Sequence, residues 1–275
     1  MFDLPAIRGR VSPSLVEPIY NRMWANGEHA CVINGDAGNG HGVYDQISGN
    51  MFTRSGVDGA WAVRVDPNFG PTVSMLGGIF TGVSSLRIPV VNTGNRHLTW
   101  GGVVALDTVA AGGFYNTDSS ANVGFRAQIS GSQLVTVVGG VAIVNTVPHT
   151  LLAGVPYFMA FSRRGSTPFT SYACVRRLDT GEMFTNTVTG TSSYLSETSA
   201  DQSLGNLGFT DSMMDGVMAM SFASNCYTGP EFIDHWAHDP FGIFREVRSD
   251  GLGLPTAAAV GSVYYSGMSL MGAGV

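Results

Sequence analysis

The apolar and polar positions of this chain alternate in short runs that predict β-strands. Between residues 123 and 129, apolar side chains occupy every second position. A period of two indicates a strand with one buried and one exposed face. Two-residue turns at Gly131-Ser132 and Gly139-Gly140 are predicted to join this strand to its neighbours as an antiparallel meander. The three predicted strands lie at 123–130, 133–138 and 141–147.

Further runs of the same kind predict strands at Tyr157–Ser162, Ser171–Leu178, Glu182–Val188 and Gly216–Ala223. The first of these is apolar on both faces, as expected of a central strand that is covered on two sides. In the last, the period of two predicts one shared face for Met218, Met220 and Phe222. Many short strands at roughly even spacing predict an all-β fold, either a sandwich or a barrel.

One short helix is predicted near the C-terminal end of this sandwich. Thr228 and Glu231 have the Thr-x-x-Glu spacing of a capping box, with a proline in the first turn. The helix should end before Asp239-Pro240, because the residue before proline avoids the α region. We expect it to cover one edge of the sandwich. Its apolar stripe consists of Phe232, Ile233 and Trp236.

The chain divides into three parts. Residues 1–25 contain three prolines and little periodicity, and we interpret them as an arm that docks on this subunit or on a neighbour. Residues 26–248 carry the predicted strands and the helix. Residues 249–275 are rich in Gly, Ala and Ser but also contain apolar residues. This tail either pairs as a strand with another subunit or is a disordered terminus.

Composition narrows the range of partners. Only 12% of the residues are charged while 44% are hydrophobic, so we expect much of the surface to be covered by other copies of the chain in a homo-oligomer. The net charge of −6 and the lack of basic clusters argue against binding to nucleic acid. The three cysteines are far apart and are expected to be small core residues.

Targeting signals are not apparent in the sequence. The first ten residues lack the apolar run of a signal peptide. No stretch reaches the ~18–20 apolar residues of a membrane-spanning helix, so we expect no insertion into a membrane. The expected site of synthesis is a cytoplasm, from which the protein could leave inside a particle released by lysis.

Four motifs occur in the order typical of one known family. Asp45-Gln46-Ile47-Ser48-Gly49-Asn50 resembles the D-x-S-G-N opening of laminin G-like, concanavalin A-like lectin/glucanase domains. The runs Gly154–Phe161 and Asp215–Met220 resemble two later strands of that family. The segment Ala237–Arg245 resembles its N-P-W-x-x-F-R ending, with Asp239 in place of the Asn and Phe241 in place of the Trp. The resemblance covers residues 26–248.

This resemblance implies an all-β fold of the two-sheet antiparallel jelly-roll sandwich type, which binds glycans or protein partners and is often a module of phage tail or capsid-surface proteins. We therefore expect a non-catalytic structural or adhesion protein of a virion, which contacts capsid or tail proteins and binds host surface glycans. Two alternatives stay open. The chain could be a carbohydrate-active enzyme, either a glycoside hydrolase or a polysaccharide lyase, or it could be a free glycan-binding module.

The sequence lacks the residues that the related enzymes need. Glycosidases place paired carboxylates near the scissile bond, and the predicted strands carry almost no carboxylates. A lyase would add His or Tyr to a positive strand face. Arg126 and Gln128 share a strand face without either residue type. We therefore expect that the chain is not an enzyme.

Two sets of residues are candidates for binding. Trp61, Trp100 and Tyr115 lie near predicted loops and are candidates for stacking on sugar rings, although the alternative is that they belong to the core. Oxygen-bearing side chains in and after the Gly-rich loop 34–40 are suited to a hard cation such as calcium, although the alternative is that this loop is simply an Asx-rich turn. These candidate ligands are Asp36, Asn39 and Asp45. No other cofactor is expected.

Overall fold

The computed structural model describes residues 11–34, 43–55, 63–75, 79–83, 97–117, 125–138, 143–165, 168–190, 201–208 and 211–245. The predicted tail and Trp61 therefore lie outside the described residues, as do Asp36, Asn39 and the turn Gly139-Gly140. Among the described residues, no helix is both long and apolar enough to cross a membrane.

The described chain is dominated by antiparallel strands, as predicted. There are two α-helices, α1 (Pro18–Ala25) and α2 (Pro230–His238), and short 3-10 helices at Pro13–Leu15 and Pro240–Phe244. The strands are β1 (Gly27–Val32), β2 (Val43–Tyr44), β3 (Met51–Ser55), β4 (Val63–Asp66), β5 (Gly70–Val73), β6 (Ile79–Val83), β7 (Leu98–Leu106), β8 (Gly112–Asn116), β9 (Phe125–Ser130), β10 (Gln133–Val138), β11 (Ile143–Thr146), β12 (Pro156–Arg164), β13 (Phe169–Arg177), β14 (Met183–Gly190), β15 (Asp201–Leu204), β16 (Asn206–Gly208), β17 (Asp211–Met213) and β18 (Gly216–Ser224).

Two large sheets form the sandwich. The six-stranded sheet has the order β1-β18-β7-β12-β13-β14, and the eight-stranded sheet has the order β11-β10-β9-β8-β15-β6-β3-β2. The predicted meander is β9-β10-β11, and its first turn is tight because Gly131 and Ser132 both have φ near +60° (56° and 59°). Positive φ at both central residues is the geometry of a type I′ hairpin. The all-β prediction is therefore confirmed.

The six-stranded sheet is buried on both faces along its central strands. Its inner face packs against the eight-stranded sheet through residues such as Tyr157, Met159 and Phe161. Its outer face packs against α1, α2 and the 3-10 helix at Pro240–Phe244. Residues on both faces of β7, β12 and β18 are buried, which explains why their sequences are almost continuously apolar.

The N-terminal arm docks on its own subunit through the residues that the structure describes. Its described part, from residue 11 onward, buries five side chains in the layer on the outer face of the six-stranded sheet. The Trp24 indole N–H also donates to the Val11 carbonyl at 3.3 Å, which fixes the entry of the chain against α1. The buried side chains are Val11, Val16, Tyr20, Met23 and Trp24.

A β-bulge corrects the predicted faces of β18. The register with β7 shifts between Met218 and Met220, and a bulge of this kind inserts one residue and reverses the alternation beyond it. Met218 faces the inner core, whereas Met220 and Phe222 face the helical layer. The prediction that these three side chains share one face is therefore wrong.

Helix α2 ends at His238 as predicted, but its start and its place differ from the prediction. Its N-cap is Gly229 and has no side-chain cap, because the Thr228 hydroxyl is engaged with Thr99 instead. The helix lies on the outer face of the six-stranded sheet, where the Tyr172 hydroxyl donates to Asp234 at 2.6 Å. Arg176 donates to the Ala237 carbonyl at 2.8 Å and so satisfies the end of the helix.

Trp236 is the central side chain of this helical layer. It is fully buried, and its indole N–H donates to the Pro240 carbonyl at 2.8 Å. The six-membered part of the indole lies directly over Gly101 of β7. A methyl group at Gly101 would come within 2.3 Å of the Trp236 ring. The glycine therefore lets the helix approach the sheet closely.

We expect the substitution Gly101→Ala to destabilise the fold by about 1–3 kcal/mol, because overpacking a filled core forces side chains away from their positions. The smaller ring in Trp236→Phe lacks the atoms that clash. The double variant should therefore be more stable than the sum of the two single effects predicts. Urea unfolding of the four proteins measures this coupling. Strictly additive free energies of unfolding would contradict the contact.

Candidate functional site

Trp100 and Tyr115 lie in the core and not at the surface. Both are fully buried, and their rings stack with centroids 6.1 Å apart and planes 3° apart. Trp100 also stacks on Phe114 at 6.2 Å. A ring without exposed surface cannot stack on a sugar, so the prediction that these two residues contact a glycan is wrong. The loops that flank their strands in the sequence suggested exposure. In the fold, each of the two side chains is instead covered by the opposite sheet of the sandwich.

These two residues belong to a buried polar network between the sheets. The His29 ring of β1 lies between Gln202 Oε1 of β15, 2.8 Å from Nδ1, and Ser221 Oγ of β18, 2.9 Å from Nε2. The Trp100 indole N–H donates to the same Ser221 oxygen at 3.1 Å. The Tyr115 hydroxyl donates toward Gln202 Oε1 at 3.2 Å and toward Glu28 Oε2 at 3.4 Å. The network therefore joins both sheets through side chains.

The contacts of His29 fit its neutral form. Burial lowers the pKa of His29 to about 4, against an opposing effect of the Asp45 charge and of the Gln202 hydrogen bond. In the neutral tautomer, Nδ1–H donates to Gln202, and Nε2 accepts from the Ser221 hydroxyl. His29 is fully buried, so the network cross-links the sheets and is closed to a ligand in this structure.

Asp45 holds a turn together with both of its carboxylate oxygens. Oδ1 accepts from the backbone N–H groups of Ala30 and Ile47, each at 2.9 Å. Oδ2 accepts from the Ser48 backbone and hydroxyl, at 3.2 and 2.5 Å. Gly49 follows with φ of 75°. These bonds give the segment Asp45–Asn50 a structural role in a turn.

The calcium site stays a prediction, because Asp36 and Asn39 lie outside the described residues. Among the residues that the structure describes, no group of three or more His, Cys, Asp or Glu side chains could hold a metal ion. The three cysteines are free and buried, as expected. Burial raises the pKa of the Cys174 thiol far above its ordinary value, so this thiol is a packing group.

An open groove lies outside the sandwich, between α1 and the start of α2. Its volume is about 590 Å³, which is in the range of small-molecule sites. We call it the helix groove. Its lining residues are Pro18, Ile19, Arg22, Met23, Cys226, Tyr227, Thr228, Gly229, Glu231 and Phe232.

The floor of the helix groove is fixed by hydrogen bonds to the sheet. Thr99 of β7 donates through its hydroxyl to the Cys226 carbonyl at 2.7 Å. The Thr228 backbone N–H donates to Ser162 Oγ of β12 at 2.9 Å. The segment that carries Tyr227 is therefore bonded on both sides of that residue to central strands. A rigid support of this kind pre-organises a binding surface.

The exposed part of the groove combines aromatic and charged groups. Phe232 is 42% exposed, Tyr227 is half-buried, and Arg22 and Glu231 are exposed. Burial, together with the Glu231 charge, raises the pKa of the Tyr227 hydroxyl, while the Arg164 charge opposes this effect. The Tyr227 hydroxyl is therefore protonated at neutral pH and available as a hydrogen-bond donor and acceptor.

A histidine lies next to this surface. The His97 ring is 6.4 Å from the Tyr227 ring, and its Nδ1 accepts from the Gly165 backbone N–H at 3.1 Å. Burial lowers the pKa of His97, and the charges of Arg164, Arg22 and Arg163 lower it further. The guanidinium groups of Arg164, Arg22 and Arg163 are therefore all close enough to His97 to act on it electrostatically.

Sequence reasoning missed this groove. Phe232 was identified as part of the apolar stripe of the helix, and the Thr228–Glu231 segment as a helix start, but neither as a site. Arg22 and Tyr227 carried no local signal, because the groove forms only when residues about 200 positions apart in the printed sequence meet on one face.

The fold resembles solved structures of binding domains. The botulinum neurotoxin serotype D binding domain matches with a TM-score of 0.54 and 8% identity over 81% of this chain and 53% of that chain. The neurotoxin DC binding domain, solved with rat synaptotagmin II, matches with a TM-score of 0.51 and 10% identity over 78% and 52%. This chain therefore spans about half the length of the neurotoxin domains.

A smaller domain is matched over its whole length. Domain 4 of AbnA, a GH43 extracellular arabinanase from Geobacillus stearothermophilus, was solved in complex with arabinotriose. It matches with a TM-score of 0.50 and 13% identity over 76% of this chain and 100% of that domain. No protein-family model matches the chain, and no curated protein matches it. At these identities the likeness establishes the sandwich fold alone.

We expect acid to destabilise the protein through His29. Its pKa is about 4 in the folded state and ordinary in the unfolded chain, so between these values the unfolded state binds more protons. The contribution of His29 is complete above pH ~6.5 and is lost as the pH falls toward 4. The loss should amount to roughly 3 kcal/mol.

Urea unfolding across this pH range measures the effect. The variant His29→Gln should be less stable at neutral pH but should have a shallower dependence on pH. The variant His235→Gln, which removes an exposed histidine of α2, should retain the wild-type slope. An unchanged slope in His29→Gln would contradict the assignment.

Proposed function

We propose that this chain is a non-catalytic carbohydrate-binding domain and that the helix groove is its binding site. The observation that carries the proposal is the groove itself, in which the Tyr227 and Phe232 rings lie beside Arg22 and Glu231 on a floor bonded to the sheet. Sugars have apolar ring faces and polar edges. Aromatic rings beside fixed hydrogen-bonding groups complement both.

The fold comparisons support the same proposal. Domains with this sandwich include one solved with arabinotriose and neurotoxin domains that are named as binding or receptor-binding domains. The resemblance of the sequence to lectin-like domains also favours a binding function.

The carboxylates of the described residues favour binding over catalysis. A glycosidase requires two carboxyl groups about 5–10 Å apart across the bond that is cleaved. Among the described lining residues of the groove, only Glu231 is acidic. Asp45 and Asp234 are engaged in holding a turn and a helix. A carbohydrate-active enzyme is therefore the second candidate, which the test below separates from the first.

We expect Tyr227→Ala to weaken binding to a polysaccharide by roughly tenfold or more, since buried aromatic contacts often contribute over 1 kcal/mol. Affinity electrophoresis against a panel of polysaccharides measures the change. Tyr44→Ala removes a half-buried tyrosine from β2 of the other sheet and should leave binding intact.

A reducing-sugar assay on the same panel completes this test. Binding without release of reducing ends supports the proposal. Turnover that Glu231→Gln abolishes would favour the enzyme, and equal loss of binding in both tyrosine variants would exclude the groove as the site.

We further propose that the domain is displayed on a phage-like virion, as a capsid-surface or tail component that attaches to host glycans. The support comes from the sequence, namely its low charge, its lectin-like motifs and the apolar composition of residues 249–275. In this proposal the tail pairs with other subunits, and the chain forms a homo-oligomer.

Deletion of residues 249–275 should abolish assembly while the cooperative unfolding of the sandwich persists. Size-exclusion chromatography with light scattering measures the oligomeric state, and thermal unfolding reports the fold. A truncated chain that assembles like the full chain would contradict this role of the tail. A full chain that is monomeric would contradict the proposed oligomer.

A further inference from the structure

The region around the helix groove is rich in arginine although the chain is acidic overall. The net charge is −6, yet Arg22 lines the groove and Arg164 lies at the end of β12 nearby. Both are exposed. Within the described residues neither guanidinium has an ion-pair partner, whereas Arg64, Arg177 and Arg245 are each paired with a carboxylate.

The register of the sheet places Arg164 on the side of the groove. Side chains two residues apart share one face of a strand, so Arg164 shares the face of Ser162, whose hydroxyl accepts from Thr228 of the groove floor. Arg163 faces the other way, is buried, and has its guanidinium over the Phe169 ring at 4.9 Å.

His97 connects Arg164 to the aromatic part of the surface. Arg163 pairs with Leu98 in the ladder between β12 and β7, and the next position brings Arg164 opposite His97. The His97 ring is in turn 6.4 Å from the Tyr227 ring. The order across the surface is therefore Arg164, His97 and Tyr227, with Arg22 on the adjacent helix. Burial lowers the pKa of His97, and the nearby charges of Arg164 and Arg22 lower it further.

The one acidic residue of the described lining is turned toward its own helix. The Glu231 carboxylate lies over Gly229, where an added methyl group would come within 2.5 Å of Oε1. A carboxylate in the first turn interacts favourably with the positive end of a helix. Its charge is therefore partly compensated there, and Arg22 and Arg164 remain open to a ligand anion.

We propose that the helix groove selects acidic saccharides, with the carboxylate or sulfate group bound by Arg22 and Arg164 and the sugar ring against Tyr227. Guanidinium groups bind both anions through paired hydrogen bonds. This inference rests on the proposed carbohydrate binding and adds to it the class of ligand.

Pairs of polysaccharides that share one backbone and differ in an anionic group test whether binding depends on charge. Polygalacturonate and its methyl ester share one backbone and differ in the carboxylate, and dextran sulfate and dextran differ in the sulfate. Isothermal titration or biolayer interferometry should show binding to at least one acidic member at least about tenfold tighter than to its neutral counterpart. The acidic member that binds more tightly identifies the anion. The preference for the acidic member should decline as the salt concentration rises from about 0.05 M to about 0.5 M, because salt screens the attraction between opposite charges.

Variants that remove a positive charge and a variant that removes a negative charge should change binding in opposite directions, which misfolding cannot do. Arg22→Gln and Arg164→Gln should each weaken binding to the acidic member about tenfold, and each should reduce the preference for the acidic member over its neutral counterpart. Glu231→Gln should strengthen binding to the acidic member, a gain that an unfolded protein cannot produce. Arg177→Gln removes the same charge from a paired position and should have no effect.

The failures of the two proposals are distinguishable. Equal binding of charged and neutral partners through Tyr227 would overturn the acidic class and keep carbohydrate binding. A preference for the acidic member that persists in both arginine variants would place the anion elsewhere and overturn this inference. Absence of binding to all four polysaccharides and to the wider panel would overturn both proposals.

Discussion

Burial of both faces of the central part of the six-stranded sheet is the constraint on which the rest of the structure depends. Its central strands carry apolar side chains on the two faces, so one layer of cover is not enough. The eight-stranded sheet covers the inner face. The N-terminal arm and α2 cover the outer face, and Trp236 approaches the backbone at Gly101. The helix groove exists because this cover consists of two separate helices, which leave a space where α1 meets the start of α2.

The fold could be largely predicted from the sequence because its signal is local and repeated. The alternation before Gly131-Ser132 identified the meander, and the continuous apolar run at Tyr157–Ser162 identified a central strand. The faces of β18 could not be predicted, because a bulge depends on the partner strand and not on the pattern of one strand. The start of α2 was misplaced because Thr99 competes for the Thr228 hydroxyl.

The candidate site was far less predictable than the fold. Trp100 and Tyr115 are aromatic residues near loops, but sequence proximity to a loop gives no information about what covers a side chain. Arg22 and Tyr227 become neighbours only through the docking of the N-terminal arm, which is a long-range event. A sequence contains the arginines, but it does not show which of them will lack a carboxylate partner after folding.

The buried network around His29 shows how polar groups can be tolerated between two sheets. Buried polar groups destabilise a fold unless they are hydrogen-bonded. Here the donors and acceptors of Trp100, Ser221, His29 and Gln202 follow one another in a single direction. A sandwich held only by apolar contacts could slide, whereas directional bonds favour one alignment of the sheets.

The place where the chain enters and leaves the domain has a mechanical consequence. The Glu17 backbone N–H donates to the Arg245 carbonyl at 3.1 Å, so a residue near the start and a residue at the end of the described chain meet on the helical layer. A force applied between Glu17 and Arg245 would act first on this hydrogen bond and on the Trp24–Phe244 ring contact, which both belong to the helical layer. The helical layer would therefore separate before the hydrogen-bonded strands carry the load.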